Sequence, residues 1–236
     1  MSDEPFRFPT LALLRLQSWL SPAFPTGSYS YSHGLEWAVE AGHICDRKSL
    51  VYWLEADLRY GSGRNEAIFF SEAWRRVIDD DRAKLIEIAE LAAAFRGTSE
   101  LALESSQQGA ACLATLCQVW PDRVLDWLLE RLSESHVQSV LAVVLGVRSA
   151  RLGIPVCLAL PAFLQSYIAN LVIAGVRLIP LGQTDGQLAI AELEEAVLSA
   201  SAQAQKATID DLGSAAFMVD LASMAHETQY TRLFRS

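Results

Sequence analysis

Histidine and cysteine are scarce, four of each in 236 residues, and neither is spaced for chemistry that needs several. Cys112 and Cys117 lie five apart and His43 and Cys45 flank one residue, patterns that match no structural zinc site. His226-Glu227 opens like a zinc-protease helix, but Tyr230 stands where the second histidine would be. Cys45, Cys112, Cys117 and Cys157 are expected to be free thiols rather than a disulfide framework. Positive charge is also in short supply. Nineteen Lys and Arg against 28 Asp and Glu leave a net charge of −9, with a pI near 4.9 and no basic run, so no nucleic-acid partner is expected.

Other absences narrow the field further. Alternating strand-type patterns are almost missing. The glycine turns Gly61-Ser62-Gly63-Arg64 and Gly182–Gly186 lack the Lys-Ser/Thr pair of a phosphate loop, and no strand precedes them. Ser28, Ser30 and Ser32 lie near His33 without a GxSxG elbow or an evident third member. The acidic residues at Asp79–Asp81, Glu192, Glu194 and Glu195 read as solvated helix ends and faces. The opening MSDEPFRFPT is acidic and has no apolar signal core, which points to the cytoplasm.

What is present is helical periodicity throughout a chain that is 51% hydrophobic, enough for a substantial core. The expectation is a single all-α domain over 1–236, a multi-helix bundle of about ten helices, with flexible ends at 1–9 and 226–236. A first helix near Thr10–Leu20 turns Leu13, Leu14, Leu16 and Leu20 largely to one side. Asp46 is placed to cap a helix carrying Leu50, Trp53, Leu54 and Leu58, and Arg64–Ile78 and Arg82–Phe95 follow. Thr98 or Ser99 opens a helix reaching Val119, whose Ser105, Gln108, Gly109 and Ala111 suit close helix contact. Pro121 fits the first turn of the next helix, and Val137–Ala150 the one after it. Leu152–Val176 holds no charge and is long enough to span a bilayer, but Pro155, Pro161, Gln165, Ser166 and Asn170 favour a central helix walled in by others. Gly182, Gln183, Asp185 and Gly186 form a polar turn that starts a helix running to about Ala204, and a short helix covers Ala215–Ala225.

Two segments do not read as packing. The first is Ser21–Glu36, SPAFPTGSYSYSHGLE, where prolines and glycine stop one helix, Ser28 or Ser30 is placed to cap the next, and tyrosines are displayed between. The second is His226–Ser236, HETQYTRLFRS, with aromatic and arginine side chains crowded at a chain end. Tyrosine and arginine anchor interfaces because they join large contact area to directed hydrogen bonds, so Tyr29, Tyr31, Tyr230 and Arg232 point to protein partners.

At these residues the sequence resembles the urease accessory protein F (UreF) family. The matching pieces are Leu13–Leu20 with Ser21-Pro22-Ala23-Phe24-Pro25, Gly27-Ser28-Tyr29-Ser30-Tyr31-Ser32 and Gly34-Leu35-Glu36. Leu152-Gly153-Ile154-Pro155, the run from Ile179 to Gln187, and Met224–Ser236 continue them in order along the chain. The resemblance implies an all-α homodimer without catalysis or a cofactor of its own. It implies binding to UreD (also called UreH), recruitment of the GTPase UreG, and nickel delivery to apo-urease (UreABC), with nickel and GTP handled by the partner complex. By position it implies UreG recruitment through Ser28, Tyr29, Glu36 and Arg232. It implies UreD contact through His226, Glu227, Gln229, Tyr230, Leu233, Phe234 and Arg235, in a tail that orders when UreD binds. Ala225 departs from relatives that carry a longer polar or basic side chain before His-Glu. The alternative from another class is a helical hydrolase using the serines of the 21–36 segment with His33, and lipid association of Leu152–Val176 is a third.

Overall fold

A computed structural model describes residues 10–236; the stretch 1–9, expected to be flexible, lies outside the described residues. Twelve α-helices and two short 3-10 turns make up the described chain, with no strand among them, two helices more than expected. Local chemistry sets the helix starts. At the head of α3 (Arg47–Tyr60), Ser49 N donates to Asp46 Oδ1 at 2.7 Å while Asp46 N donates to Ser49 Oγ at 3.1 Å, a reciprocal cap. Asp81, Thr98 and Asp122 cap one way, their side chains accepting from Lys84 N, Leu101 N and Val124 N at 3.0, 3.1 and 2.9 Å, for α5 (Arg82–Ala94), α6 (Ser99–Val119) and α7 (Arg123–Glu134).

Helix α4 (Ser62–Ile78) pairs with α8 (Leu141–Arg151), in which every residue from Ala142 to Ala150 is buried. Their backbones meet at Gly146, where a Cβ would fall 2.5 Å from the Phe70 carbonyl oxygen. Helix α9 (Val156–Leu178) is long and apolar enough to cross a membrane, yet it packs against α1 (Thr10–Leu20), α3, α4 and α8 and leaves Leu158 and Ile173 exposed. It also touches α2 (Leu35–Glu40), α10 (Gln183–Glu192) and α11 (Glu194–Ala204). The last helix, α12 (Phe217–His226), lies on α2 and α6.

Several local expectations are corrected. Helix α1 buries Ala12, Leu16 and Trp19 and leaves Leu13 and Leu14 exposed, because the i, i+4, i+7 stripe containing the tryptophan wins the core. Pro121 precedes α7 instead of opening it. His136 adopts a left-handed conformation (φ 54°) that ends α7, and Val140 is extended, so α8 begins at Leu141 and not at Val137. The helix expected to run to Ala204 is two, divided at Leu193, whose N–H is shared between the Ala189 and Ile190 carbonyls at 3.2 Å each. In the 21–36 segment Ser28–Ser30 forms a 3-10 turn, and α2 starts from Gly34 (φ 79°) without a side-chain cap. A Cβ at Gly34 would sit 2.7 Å from Ser223 N, so glycine there lets α2 begin directly against α12.

Candidate protein-docking face

Three carboxylates are enclosed where α2, α6 and α12 meet. Glu36 lies in the first turn of α2, and Glu100, Glu104 and Gln108 repeat every fourth residue along one face of α6; all four are buried. Buried carboxylates are costly unless hydrogen-bonded and paired. Here the partners come from the chain end. His226, fully buried, places Nδ1 2.7 Å from Glu100 Oε2 and Nε2 3.2 Å from Glu36 Oε2. Each ring nitrogen thus faces a carboxylate oxygen at hydrogen-bond distance. Arg232 Nη1 donates to Glu100 Oε1 at 2.9 Å. The backbone N–H groups of Leu233 and Phe234 donate to the two oxygens of Glu36 at 2.6 and 2.9 Å, and Ser236 Oγ donates to Glu104 Oε2 at 2.7 Å.

From Glu36 the tail continues onto the tyrosine-bearing segment. Arg235 N donates to the Ser30 carbonyl at 2.8 Å, and Ser32 N donates to the Ser236 carbonyl at 2.7 Å. Phe234 is buried, with the Arg177 guanidinium 4.5 Å above its ring, and Arg177 Nη1 also donates to the Tyr29 carbonyl at 3.1 Å. The two segments singled out from the sequence, about 200 residues apart, are therefore one continuous surface.

The residues named for partner binding divide into outward and inward sets. Tyr29 (69% exposed), Tyr230 (fully exposed), Leu233, Arg232 and Arg235 face solvent. Glu36, His226 and Phe234 face inward and hold the tail. The Ser28 carbonyl accepts from Asn170 Nδ2 at 3.1 Å, and Gln229 Nε2 donates to Glu40 Oε2 at 2.5 Å. Glu227 accepts from Ser99 Oγ and N at 2.8 and 3.0 Å, bonds that lower its pKa. The turn at Gly182 and Gln183 is elsewhere: Asp185 Oδ2 accepts from Gly182 N at 3.3 Å, Asp185 pairs with Arg47 at 3.4 Å, and buried Gly186 rests against Val176. Glu100, Glu104 and Arg177 were missed. The fourfold spacing of Glu100, Glu104 and Gln108 along one face of the helix was the available signal.

Below this surface a cavity of about 360 Å³ is lined by His33, Ser62, Glu66, Arg96, Glu104 and Tyr167. His33 does not meet the serines of its own segment, as the hydrolase alternative required; Ser32 Oγ bonds instead to the Ser236 carbonyl. Its Nε2 lies 2.5 Å from Ser62 Oγ and 3.2 Å from Tyr167 OH, and both hydroxyls donate to Asp57 at 2.8 Å. Burial favours the neutral ring, but the Glu104 carboxylate 3.4 Å from Nδ1, then Asp57 and Glu66, outweigh it and hold the pKa at about 9. A ring held in its protonated form is poorly suited to act as general base for Ser62. Among the described residues no three His, Cys, Asp or Glu side chains converge as metal ligands would, and all four cysteines are free.

Comparison with known proteins matches the UreF family profile to residues 44–194. Over 225 residues the chain is 47% identical to the urease accessory protein UreF of Rhodopseudomonas palustris (strain BisB5), covering 95% of this chain and 91% of that protein. The same identity and the same share of this chain hold for the UreF proteins of Bradyrhizobium diazoefficiens and Granulibacter bethesdensis, of which 92% and 94% are covered.

Proposed function

The chain belongs to the UreF family of urease accessory proteins, and from that premise we propose that it is a non-catalytic scaffold of urease maturation. In this reading a cytoplasmic homodimer binds UreD, also called UreH, recruits the GTPase UreG, and gates GTP-dependent delivery of nickel into apo-urease (UreABC). Nickel is cargo and GTP is the partner's nucleotide. The scaffold contributes differential affinity: it favours one nucleotide state of UreG over the other, and that difference couples hydrolysis to metal release.

One observation carries the reading. Tyr29 and Arg232, proposed for UreG recruitment, stand on the two segments that the docked tail joins, while Glu36 and His226 lie beneath as supports. An exposed tyrosine and an exposed arginine on a hydrogen-bonded frame suit interface anchoring, because the frame limits the entropy lost on binding. The test is size-exclusion chromatography with light scattering on the chain mixed with UreD, UreG, nickel and GTP. The expected species contains two copies of each chain. Tyr29→Ala and Arg232→Ala should lose UreG while the dimer and its UreD contact persist. Failure of the unaltered protein to bind either partner would end the scaffold reading.

A further inference from the structure

The cavity beneath the tail takes no part in the scaffold reading, and its wall favours an occupant of one charge. Glu66, Glu104 and Asp220 line it against His33 and Arg96. The buried Asp57 carboxylate stands just behind, accepting from the wall hydroxyls of Ser62 and Tyr167 at 2.8 Å each. Even with His33 protonated, negative charge is in excess. Both cations are engaged: Arg96 Nη1 donates to Glu66 Oε1, and His33 Nδ1 lies 3.4 Å from Glu104 Oε2. Glu104 is also held by Ser236 Oγ at 2.7 Å and Gln108 Nε2 at 3.3 Å. Glu66 differs. It is 8% exposed, and among the described residues its second oxygen has no hydrogen-bond partner. A carboxylate oxygen left unpaired in a buried wall is costly, and a donor brought into the cavity relieves that cost.

The rest of the wall selects the kind of donor. Phe95, Leu101, Leu141 and Phe163 present hydrocarbon, and a volume of about 360 Å³ is at the small end of ligand pockets, which run from roughly 300 to 1,000 Å³. With no three His, Cys, Asp or Glu side chains converging among the described residues, a resident metal ion finds no coordination shell. An anion meets like charge, and a neutral hydrocarbon leaves the Glu66 oxygen without a donor. A short alkyl chain ending in an ammonium group meets both demands, and the aromatic faces add attraction for the cation. The entrance agrees: Phe95, Gly97 and Ser214 are the exposed part of the wall, and beside them Asp220 accepts from Ser214 Oγ at 2.7 Å. A carboxylate at a mouth concentrates cations there.

We propose that this cavity is a binding site for a small organic cation, its ammonium head paired with Glu66 and its hydrocarbon body lying against Leu101, Leu141 and Phe163. The probes are n-butylammonium, n-butanol and butyrate, which share a body and differ in charge, titrated at pH 7 into the full chain with labelled leucine methyl groups. The Leu101 and Leu141 signals should shift saturably with n-butylammonium, with a Kd on the order of 1 mM for so small a ligand. Binding of the other two should be weaker by about tenfold or more, the loss expected when a charge-assisted hydrogen bond is not made. Glu66→Gln should weaken n-butylammonium by the same factor, and Asp220→Asn, which keeps an oxygen for Ser214, by about twofold. The comparison of probes uses the unaltered chain, so it decides the matter even where Glu66→Gln, which strips Arg96 of its partner, lowers stability. Equal binding of n-butanol reduces the cavity to an apolar void, and a preference for butyrate reverses its charge; either overturns the proposal. So does the absence of any saturable shift with n-butylammonium, whether or not Mg2+ or Ni2+ shifts the same signals, and so does undiminished binding of n-butylammonium by a folded Glu66→Gln.

Discussion

Exchanging Glu36 for glutamine strikes the point on which the docked tail depends. The swap keeps the shape of the side chain but leaves one acceptor oxygen where there were two, and places an NH2 donor at the other corner. In the native groove one oxygen accepts from Leu233 N at 2.6 Å, and the other accepts from Phe234 N at 2.9 Å and faces His226 Nε2 at 3.2 Å. Whichever way the amide turns, an N–H of the tail meets another donor. A hydrogen bond to a charged group is worth roughly 1.5–3 kcal/mol, so losing one and weakening the rest costs about 3 kcal/mol. Global unfolding is not needed to escape this cost, because residues 229–236 can leave the groove while the helices stay packed. An energy of about 3 kcal/mol corresponds to roughly a hundredfold change in an opening equilibrium. Amide exchange at Leu233, Phe234 and Arg235 should therefore quicken by about that factor, whereas the urea midpoint followed by tryptophan fluorescence should move little. Tail exchange within about twofold of the unaltered protein would refute the argument that the buried carboxylate holds the tail. Exchange raised equally in α4 and α8 would show that Glu36 supports the whole fold.

Two further outcomes follow from the core and the cavity. Gly146→Ala drives a methyl group against the Phe70 carbonyl; overpacking of about 1–3 kcal/mol outweighs the gain of up to about 1 kcal/mol in helix propensity, and a lowered urea midpoint should register the difference. An unchanged midpoint would mean that α4 and α8 have room to part. His33, raised from 6.5 to about 9 in the folded chain, stabilises it fully below pH 6.5, and this contribution, on the order of 3 kcal/mol at most, is lost as pH rises through about 9. The stability gap between the unaltered protein and His33→Asn, which tolerates the left-handed backbone, should therefore narrow between pH 6 and pH 10; a gap that stays constant would refute the assignment.

The helices were legible where one apolar stripe and one capping residue agreed, as at Asp46 with Leu50 and Leu54, or Thr98 with Leu101. They were misread where the decision was tertiary. Nothing local marks Leu193 as a break, since it is neither proline nor glycine, and the chain divides there to seat two helices on α9. The leucines of α1 offered two plausible faces, and Trp19 chose between them by filling the space beside Trp120 and Arg148. At the docking face the exposed anchors were readable because tyrosine and arginine crowded into short segments. Their supports were not, because Glu36, Glu100, Glu104, Arg177 and His226 come from four distant helices and become one group only on folding.

The seat of α8 on α4 has a mechanical consequence. Backbone rests on backbone at Gly146, without side chains between to slide or change rotamer, so this pair behaves as a stiff beam through the middle of the molecule. The rim is built differently: there the tail is tied down mainly by hydrogen bonds to side chains, with two backbone bonds to the tyrosine segment. On this contrast amide exchange is expected to be slowest in α4 and α8 and fastest in the tail, which would put the give of the molecule at its edge.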